Sequence, residues 1–335
     1  MKRTTCLICS RETSGRPASI ARFVVETCNL GTAATEIRYC RACDFAFFAR
    51  RLTDQEAAKL YNRYRGDDYN TRRIAVEPSY ASLVPLFADP LSSYYVERIH
   101  EYTDVMDVFP EIRPATVLDF GGDGSVPSRV FPYAEIAFDD LSAGAGGQTW
   151  DMHELIFVSQ VFEHVSDPVA LLKGVVGRLA PEGVVFIDLP KEFESTLSEG
   201  LLWQAKHGGG LYTMHEHINH FSQRSLRLLM QAAGLEPFFE VEPIRHRTWL
   251  AMGARPGSEA ACRFRAEKAM RTLLWGQTAI RQIARNAQLE AQASHAYARQ
   301  ACQTAMAVNP PCALRQAAAM VFRGIRRLGR SARPT

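Results

Sequence analysis

Short apolar runs alternate with helical segments along the middle of the chain, beginning at Ala115. Runs of four to six residues of this kind predict buried strands, which we place at 116–119, 134–139, 155–159 and 184–189. Apolar residues recur every three or four positions from Pro168 to Leu179 and predict a crossover helix. Strands that alternate with helices are typical of a parallel α/β sheet.

The flanking segments predict further elements. A helix is expected at 222–233, followed by two strands near 238–241 and 248–252 that close the sheet. Upstream, helices are expected at 53–69, where Thr53 and Glu56 have the spacing of a capping box, and at 94–108. The run 20–25 is strand-like, and the chain beyond residue 256 is Ala- and Arg-rich and helical.

We therefore predict an α/β protein with a Rossmann-like sheet. Its 335 residues exceed one average domain, and the pattern divides them into four regions: a cysteine module at 1–50, a helical Tyr-rich connector at 51–112, the α/β domain at 113–255 and a basic helical extension at 256–335. The content of 47% hydrophobic and 22% charged residues excludes disorder. No apolar run is long enough to span a bilayer and no apolar segment follows the basic start, so we expect a cytoplasmic protein.

Two Cys-x-x-Cys pairs stand near the start, Cys6 with Cys9 and Cys40 with Cys43. Two such pairs can supply the closed four-sulfur shell of a structural zinc site, although the 30-residue spacer is longer than in common zinc ribbons. Buried reduced cysteines or a redox pair are the alternatives. Cys28, between the pairs, is expected to be a core residue.

A Gly-rich turn follows the first predicted strand of the α/β domain, where open sheets bind ligands. It consists of Asp119, Phe120, Gly121, Gly122, Asp123 and Gly124. Asp139 and Asp140 come 20 and 21 residues after Asp119, where a carboxylate can accept hydrogen bonds from ribose hydroxyls. The G-x-G-x-x-G spacing of NAD-binding proteins is absent.

These residues resemble motif I of the class I S-adenosylmethionine (SAM)-dependent methyltransferases, with Asp123 in place of a family glycine. The segment 157–168 resembles their fourth-strand motif, and 179–187 is similar to the segment that follows it. The resemblance covers 115–254 and implies methyl transfer, with SAM contacted by the Gly-rich turn, by Asp139 or Asp140, and by Ser159 and Gln160.

A cluster of histidines follows the predicted strand at 184–189. It contains His215, Glu216, His217 and His220. General base catalysis is the functional interpretation. A metal site formed by the three histidines and a purely structural role are the alternatives, and the histidine spacing is not the i, i+4 pair of zincins.

The cysteine module, the Tyr-rich connector and the His-Glu-His segment together resemble the zinc-containing sugar C-methyltransferases and related enzymes of glycan gene clusters. The resemblance implies His217 as the base, Glu216 as the carboxylate that orients it, and a nucleotide-linked sugar or similar small molecule as the acceptor. Further acceptor contacts are expected from Tyr61, Tyr64, Tyr212, His215 and His220. A tyrosine expected two positions before the glutamate is Met214 here.

Charge is unevenly distributed. Residues 255–335 carry 14 Lys and Arg against 3 Asp and Glu, which leaves 25 against 33, or −8, for residues 1–254. An acidic main body argues against nucleic-acid binding and hence against the alternative of an RNA methyltransferase that holds its substrate with the zinc module. A non-catalytic interaction protein is the other alternative. The basic amphipathic segment 312–330 can pack on the protein itself, on a membrane surface or on a protein partner.

Overall fold

The computed structural model describes residues 2–139, 152–191, 212–241, 248–284 and 287–288. Residues 1–275 form one compact unit and residues 276–335 a second. Asp140, the side chain of Tyr212 and the basic segment 312–330 lie outside the described residues. No helix within the described ranges is long and apolar enough to cross a membrane.

The α/β domain is built on a six-stranded sheet. Its strands are β4 (Thr116–Phe120), β5 (Glu135–Asp139), β6 (His153–Ser159), β7 (Leu179–Pro190), β10 (Glu236–Val241) and β11 (Thr248–Ala254). Their order is β10-β11-β7-β6-β4-β5. Neighbouring strands from β7 to β5 are parallel, whereas β11 is antiparallel to both of its neighbours. The predicted strands and the Rossmann-like class are confirmed.

Both faces of the sheet are buried along its central strands β6 and β7, which explains their nearly continuous apolar runs, whereas the edge strand β5 is partly exposed. Side chains alternate along a strand, so Leu118 and Ile156 join one hydrophobic cluster while Val117 and Leu155 join the other. Helices lie along the chain at α5 (Ser93–Met106), α6 (Pro127–Val130), α7 (Pro168–Gly177), α8 (Gln223–Ala232) and α9 (Glu259–Ala266).

A second sheet of five strands contains the cysteine module. Its strands are β1 (Ser14–Ile20), β2 (Ala34–Cys40), β3 (Phe45–Phe48), β8 (Tyr212–Met214) and β9 (Asn219–Phe221), in the order β8-β1-β2-β3-β9. The two edge strands come from the segment that carries the histidine cluster, because β8 pairs with β1 and β9 pairs with β3. The module sheet is therefore completed by residues far along the chain.

Residues 2–90 also contain four α-helices and one 3-10 helix (Pro78–Ser82). The α-helices are α1 (Arg22–Cys28), α2 (Asp54–Tyr61), α3 (Asp67–Val76) and α4 (Val84–Ala88). The expected strand at 20–25 is wrong, because Phe23, Val24 and Cys28 are buried together on one face of α1. The expected single helix at 53–69 breaks after Tyr61, and the Thr53–Glu56 capping box is present.

Arg51 joins the module to the α/β domain. Its buried guanidinium donates to the carbonyl oxygens of Val165 (2.6 Å) and Ile218 (3.2 Å) and to Asn219 Oδ1 (2.8 Å). The Asn219 amide donates in turn to the carbonyl oxygens of Phe162 and Val165, both at 2.7 Å. Burial lowers the pKa of Arg51 to about 9. This polar cluster fixes β9 against the loop that follows β6.

Candidate functional site

Two Cys-x-x-Cys turns bring four sulfur atoms together beside the module sheet. The Sγ atoms of Cys6, Cys9, Cys40 and Cys43 lie within 4.8 Å of one another, with 3.9 Å between Cys6 and Cys43 and 3.7 Å between Cys9 and Cys40. A tetrahedral ion with Zn–S bonds of about 2.3 Å requires sulfur atoms about 3.8 Å apart. The four residues therefore fit a zinc ion. Cys28 belongs to a different hydrophobic cluster.

The Gly-rich turn after β4 is built around the carboxylate of Asp119. This side chain is 5% exposed, and the Gly124 N–H donates to its Oδ2 at 2.8 Å. Gly121 and Gly124 have φ values of 82° and 79°, and a Cβ atom at Gly122 would lie within 2.6 Å of the Asp119 carboxylate. Burial raises the pKa of Asp119 to about 6, against the opposing effect of the Gly124 N–H. The backbone thus folds closely over a buried acid.

The remaining predicted cofactor residues lie at the same edge of the sheet. Phe120 is buried at the end of β4, and Asp123 Oδ1 accepts a hydrogen bond from the Ser125 N–H at 2.9 Å. Asp139 ends β5 next to Phe120, and its carboxylate forms an ion pair with Arg178 at 2.7 Å. The predicted ribose contact by Asp139 stays a prediction.

Ser159 and Gln160 belong to a polar network at the carboxyl ends of β6 and β7. Asp188 Oδ2 accepts hydrogen bonds from Tyr102 (2.7 Å), Gln160 (2.9 Å) and Ser159 (3.1 Å). Arg98 donates to the Ser159 hydroxyl and lies 3.4 Å from Asp188 Oδ2. Sequence reasoning missed Arg98, Tyr102 and Asp188, although an acid inside the apolar run of β7 was an available signal.

Glu216 has partners that the sequence did not predict. Its Oε1 atom accepts hydrogen bonds from the Tyr69 hydroxyl and from Arg73, which is also its ion-pair partner. Glu216 is 5% exposed, so this ion pair is shielded from water. The chain between β8 and β9 thus directs the Glu216 carboxylate toward α3, and the expected contact between Glu216 and His217 stays a prediction.

His217 instead lies beside the segment that follows β6. Its ring is 4.6 Å from the His164 ring, centroid to centroid, at an angle of 77°. His164 Nδ1 is 3.1 Å from the Tyr61 hydroxyl, and His164 Nε2 is 3.8 Å from Glu163 Oε1. Ligand atoms of Glu163, His164 and His217 lie within 4.8 Å of one another, whereas the predicted metal alternative grouped His215, His217 and His220. The adjacent Glu163 and His164 were visible in the sequence, but they were not predicted to belong to the site.

The other two histidines have separate surroundings. His215 is half-exposed and lies 3.3 Å from Glu77 Oε1. His220 is buried in β9, and its ring packs against Phe48 with centroids 5.6 Å apart. His220 thus packs within the module sheet, and its expected contact with the acceptor stays a prediction.

Tyr61 and Tyr64 form an aromatic wall next to the histidines. The Tyr61 ring lies 5.5 Å from both Tyr64 and His164, and the Tyr64 ring lies 5.2 Å from Tyr69. The Tyr61 hydroxyl also donates to the Glu216 carbonyl oxygen at 3.2 Å. The connector therefore contributes aromatic rings beside the histidines, and its contact with an acceptor stays a prediction.

Comparisons with known proteins identify the fold. Residues 94–238 match the family described as a methyltransferase domain. A comparison with curated proteins gave no significant match. Among solved structures, the 1,6-didemethyltoxoflavin-N1-methyltransferase of Burkholderia thailandensis, with bound S-adenosylhomocysteine, is 13% identical; the alignment covers 66% of this chain and 95% of that one with a TM-score of 0.40. The magnesium protoporphyrin IX methyltransferase of Synechocystis PCC 6803 is 12% identical, over 56% and 100% of the two chains, with a TM-score of 0.38.

The family match confirms the predicted enzyme class. Residues 94–238 match the methyltransferase-domain family, and the six-stranded sheet of this region is Rossmann-like. At such low identity and TM-score, neither solved structure identifies the acceptor of this protein.

Proposed function

We propose that the protein transfers the methyl group of SAM to a nucleotide-linked sugar or a related glycan precursor, with His217 as the base. One observation supports this most: the segment from Ser159 to His164 runs from the carboxyl end of β6, beside the Gly-rich turn, directly to the His217 imidazole. A methyl donor bound at the turn and an acceptor bound at the histidines would therefore be neighbours.

The donor would lie along the carboxyl edge of the sheet. Its methionine end would occupy the turn from Asp119 to Gly124, and its ribose would contact Asp139 or Asp140. When bound, SAM supplies an electrophilic methyl group. The protein's own contribution is to hold the acceptor atom in line with that group, since alignment supplies much of the rate acceleration in a displacement reaction.

His217 would remove the acceptor proton. A hydroxyl group, or a carbon next to a ketone, is a poor nucleophile until it is deprotonated, and an imidazole titrates close to neutral pH. The buried Glu163 carboxylate near this pair would stabilise the imidazolium that forms. This assigns to Glu163 the electrostatic role that the sequence assigned to Glu216.

Glu216 would act as a positioning residue. Its ion pair with Arg73 and its hydrogen bond from Tyr69 attach the loop between β8 and β9 to α3. Because His217 follows immediately, this attachment fixes the backbone that carries the base.

The four cysteines would hold one structural zinc ion. A closed shell of four thiolates leaves no position for a substrate, so the ion would stabilise the fold. Cys6, Cys40 and Cys43 pack in the same hydrophobic cluster as Leu118 of β4, which extends this stabilisation to the α/β domain.

The test is transfer of label from methyl-labelled SAM to a panel of nucleotide sugars, free sugars and an RNA transcript. Label in a nucleotide sugar supports the proposal. Label in RNA alone, or SAM binding without transfer to any small molecule, contradicts it.

His217→Ala tests the base separately. Turnover should fall by roughly 10² to 10⁴, with SAM affinity nearly unchanged, because only proton transfer is removed. His100→Ala is the matched control, since His100 is exposed on α5 and is not among the predicted site residues. If turnover fell by less than about tenfold in His217→Ala, His217 would not be the base and its role would be structural.

A further inference from the structure

Three arginines are interleaved with the tyrosines around the candidate site, and they differ in their counter-ions. Arg73 pairs with Glu216, and Arg98 lies 3.4 Å from Asp188. Arg65 has no carboxylate within ion-pair distance among the described residues. Arg65 therefore lacks the carboxylate partner that Arg73 and Arg98 each have.

Aromatic rings surround the Arg65 guanidinium. Its central carbon lies 3.8 Å from the centroid of the Phe87 ring, 4.9 Å from that of Tyr64 and 5.8 Å from that of Tyr94. The Nε atom is buried and has no hydrogen-bond partner among the described residues. Stacking on rings occupies the faces of a guanidinium and leaves its N–H groups directed outward in the plane.

The backbone at Arg65 is also in an uncommon conformation. Arg65 has a φ of 60°, which is rare for a residue with a side chain of this size. The Asn70 side chain donates to the Arg65 carbonyl oxygen at 2.8 Å and Gly66 begins the next helix, so neighbouring residues hold the turn. Backbone strain of this kind persists where the surrounding structure stabilises it.

The neighbouring phenols cannot neutralise Arg65. Burial raises the pKa of Tyr64 and of Tyr80, so both hydroxyl groups are neutral at physiological pH. The Tyr80 hydroxyl is itself buried without a hydrogen-bond partner in the described ranges. These neutral phenols leave the partly buried guanidinium without a counter-charge, which a bound anion would supply.

We infer that Arg65 anchors an anionic group of the acceptor, a phosphate or diphosphate, through the N–H groups in the plane of its guanidinium. The inference rests on the proposed function and narrows the acceptor to phosphorylated molecules. Arginine suits this role because its planar donors match the oxygens of phosphate in a bidentate geometry.

The position of Arg65 agrees with an anchor some distance from the reacting atom. Arg65 stacks on Tyr64, the Tyr64 ring is 6.4 Å from His164, and His164 contacts His217. Two aromatic rings thus separate the guanidinium from the proposed base. A sugar ring at His217 and its phosphate at Arg65 would span this distance.

The experiment is calorimetric titration of the full-length protein with uridine diphosphate and with inorganic pyrophosphate, in the absence of turnover. Arg65→Gln should weaken both affinities by about ten- to a hundredfold, because a charged hydrogen-bonding partner is lost. Arg65→Lys should recover only part of the loss, since lysine keeps the charge and loses the planar donors. Arg72→Gln is the matched control: it removes the same charge from an exposed position seven residues away, and should change affinity less than twofold.

Two further measurements separate this role from others. SAM affinity should be within twofold of the parent in Arg65→Gln, whereas a loss of SAM affinity with unchanged diphosphate affinity would assign Arg65 to the donor and overturn the inference. Pyrophosphate should raise the unfolding temperature of the parent and of Arg72→Gln, and leave that of Arg65→Gln unchanged. Failure of the parent to bind either anion, or equal affinities in the two glutamine variants, would also overturn it. These titrations need no methyl transfer, so they succeed or fail independently of the labelling assay.

Discussion

Gly122→Ala tests the proposed donor site most directly, because the atoms nearest to the added methyl group would all belong to the Asp119 carboxylate. The new Cβ atom would lie within 2.6 Å of the Asp119 carboxylate, much closer than van der Waals contact allows. Asp119 would have to rotate away, and the 2.8 Å hydrogen bond from the Gly124 N–H would be lost. A hydrogen bond to a charged group contributes about 1.5–3 kcal/mol, so SAM affinity should fall by roughly ten- to a hundredfold.

The assay is calorimetric titration with SAM, combined with thermal unfolding of the unliganded protein. Gly174→Ala is the control, since a Cβ atom there, in the interior of α7, meets nothing within 4 Å. It should stabilise the protein by about 0.5–1 kcal/mol and leave SAM affinity unchanged. If Gly122→Ala bound SAM within twofold of the parent, the close packing of the turn on Asp119 would not be what shapes the donor site.

Three further predictions concern metal content, pH and stability. Purified protein should contain one zinc per chain, and Cys40→Ser should lower both the zinc content and the unfolding temperature; full stability without zinc would contradict the four-thiolate site. The pKa of Asp119 is raised to about 6 in the folded protein, so the protonated carboxyl stabilises the fold at low pH and this stabilisation is lost as pH rises from about 4 through 6. In Asp119→Asn, the free energy of unfolding should therefore decrease by up to about 3 kcal/mol less between pH 4 and pH 7 than in the parent. Denaturant unfolding at the two pH values measures this difference, and equal pH profiles of parent and variant would refute the assignment. Arg51→Ala should destabilise the fold by about 3–5 kcal/mol, because the carbonyl groups around it lose their buried donor, and Arg50→Ala is the more exposed control.

The α/β domain could be predicted from the sequence because its signals are local. The buried strands β6 and β7 each contain a run of four apolar residues, at 155–158 and 184–187, and the Thr53–Glu56 capping box marks the start of α2. The run 20–25 misled the prediction because apolar residues in a short buried segment have the same composition in a strand and in a helix. Only the burial of Phe23, Val24 and Cys28 on one face distinguishes them.

The partners of the candidate site could not be predicted, because they depend on contacts between distant segments. Glu216 is adjacent to His217 in the sequence, yet its carboxylate pairs with Arg73 from a helix formed more than a hundred residues earlier. The neighbour of His217 is His164, which a loop after β6 supplies. Sequence proximity predicts which residues share a loop, whereas it does not predict the direction of their side chains.

The closure of the module sheet by β8 and β9 has a consequence for biosynthesis. The cysteine module is translated before β8 and β9, so the two edges of its sheet, β1 and β3, stay open until residues 212–221 have been translated. Open edges expose backbone groups that can pair with other chains, and strands paired over long sequence separations form slowly. A nascent or truncated chain that ends before β8 is therefore expected to aggregate or to require a chaperone. The cysteine module should consequently be expressed together with the α/β domain and not as an isolated fragment.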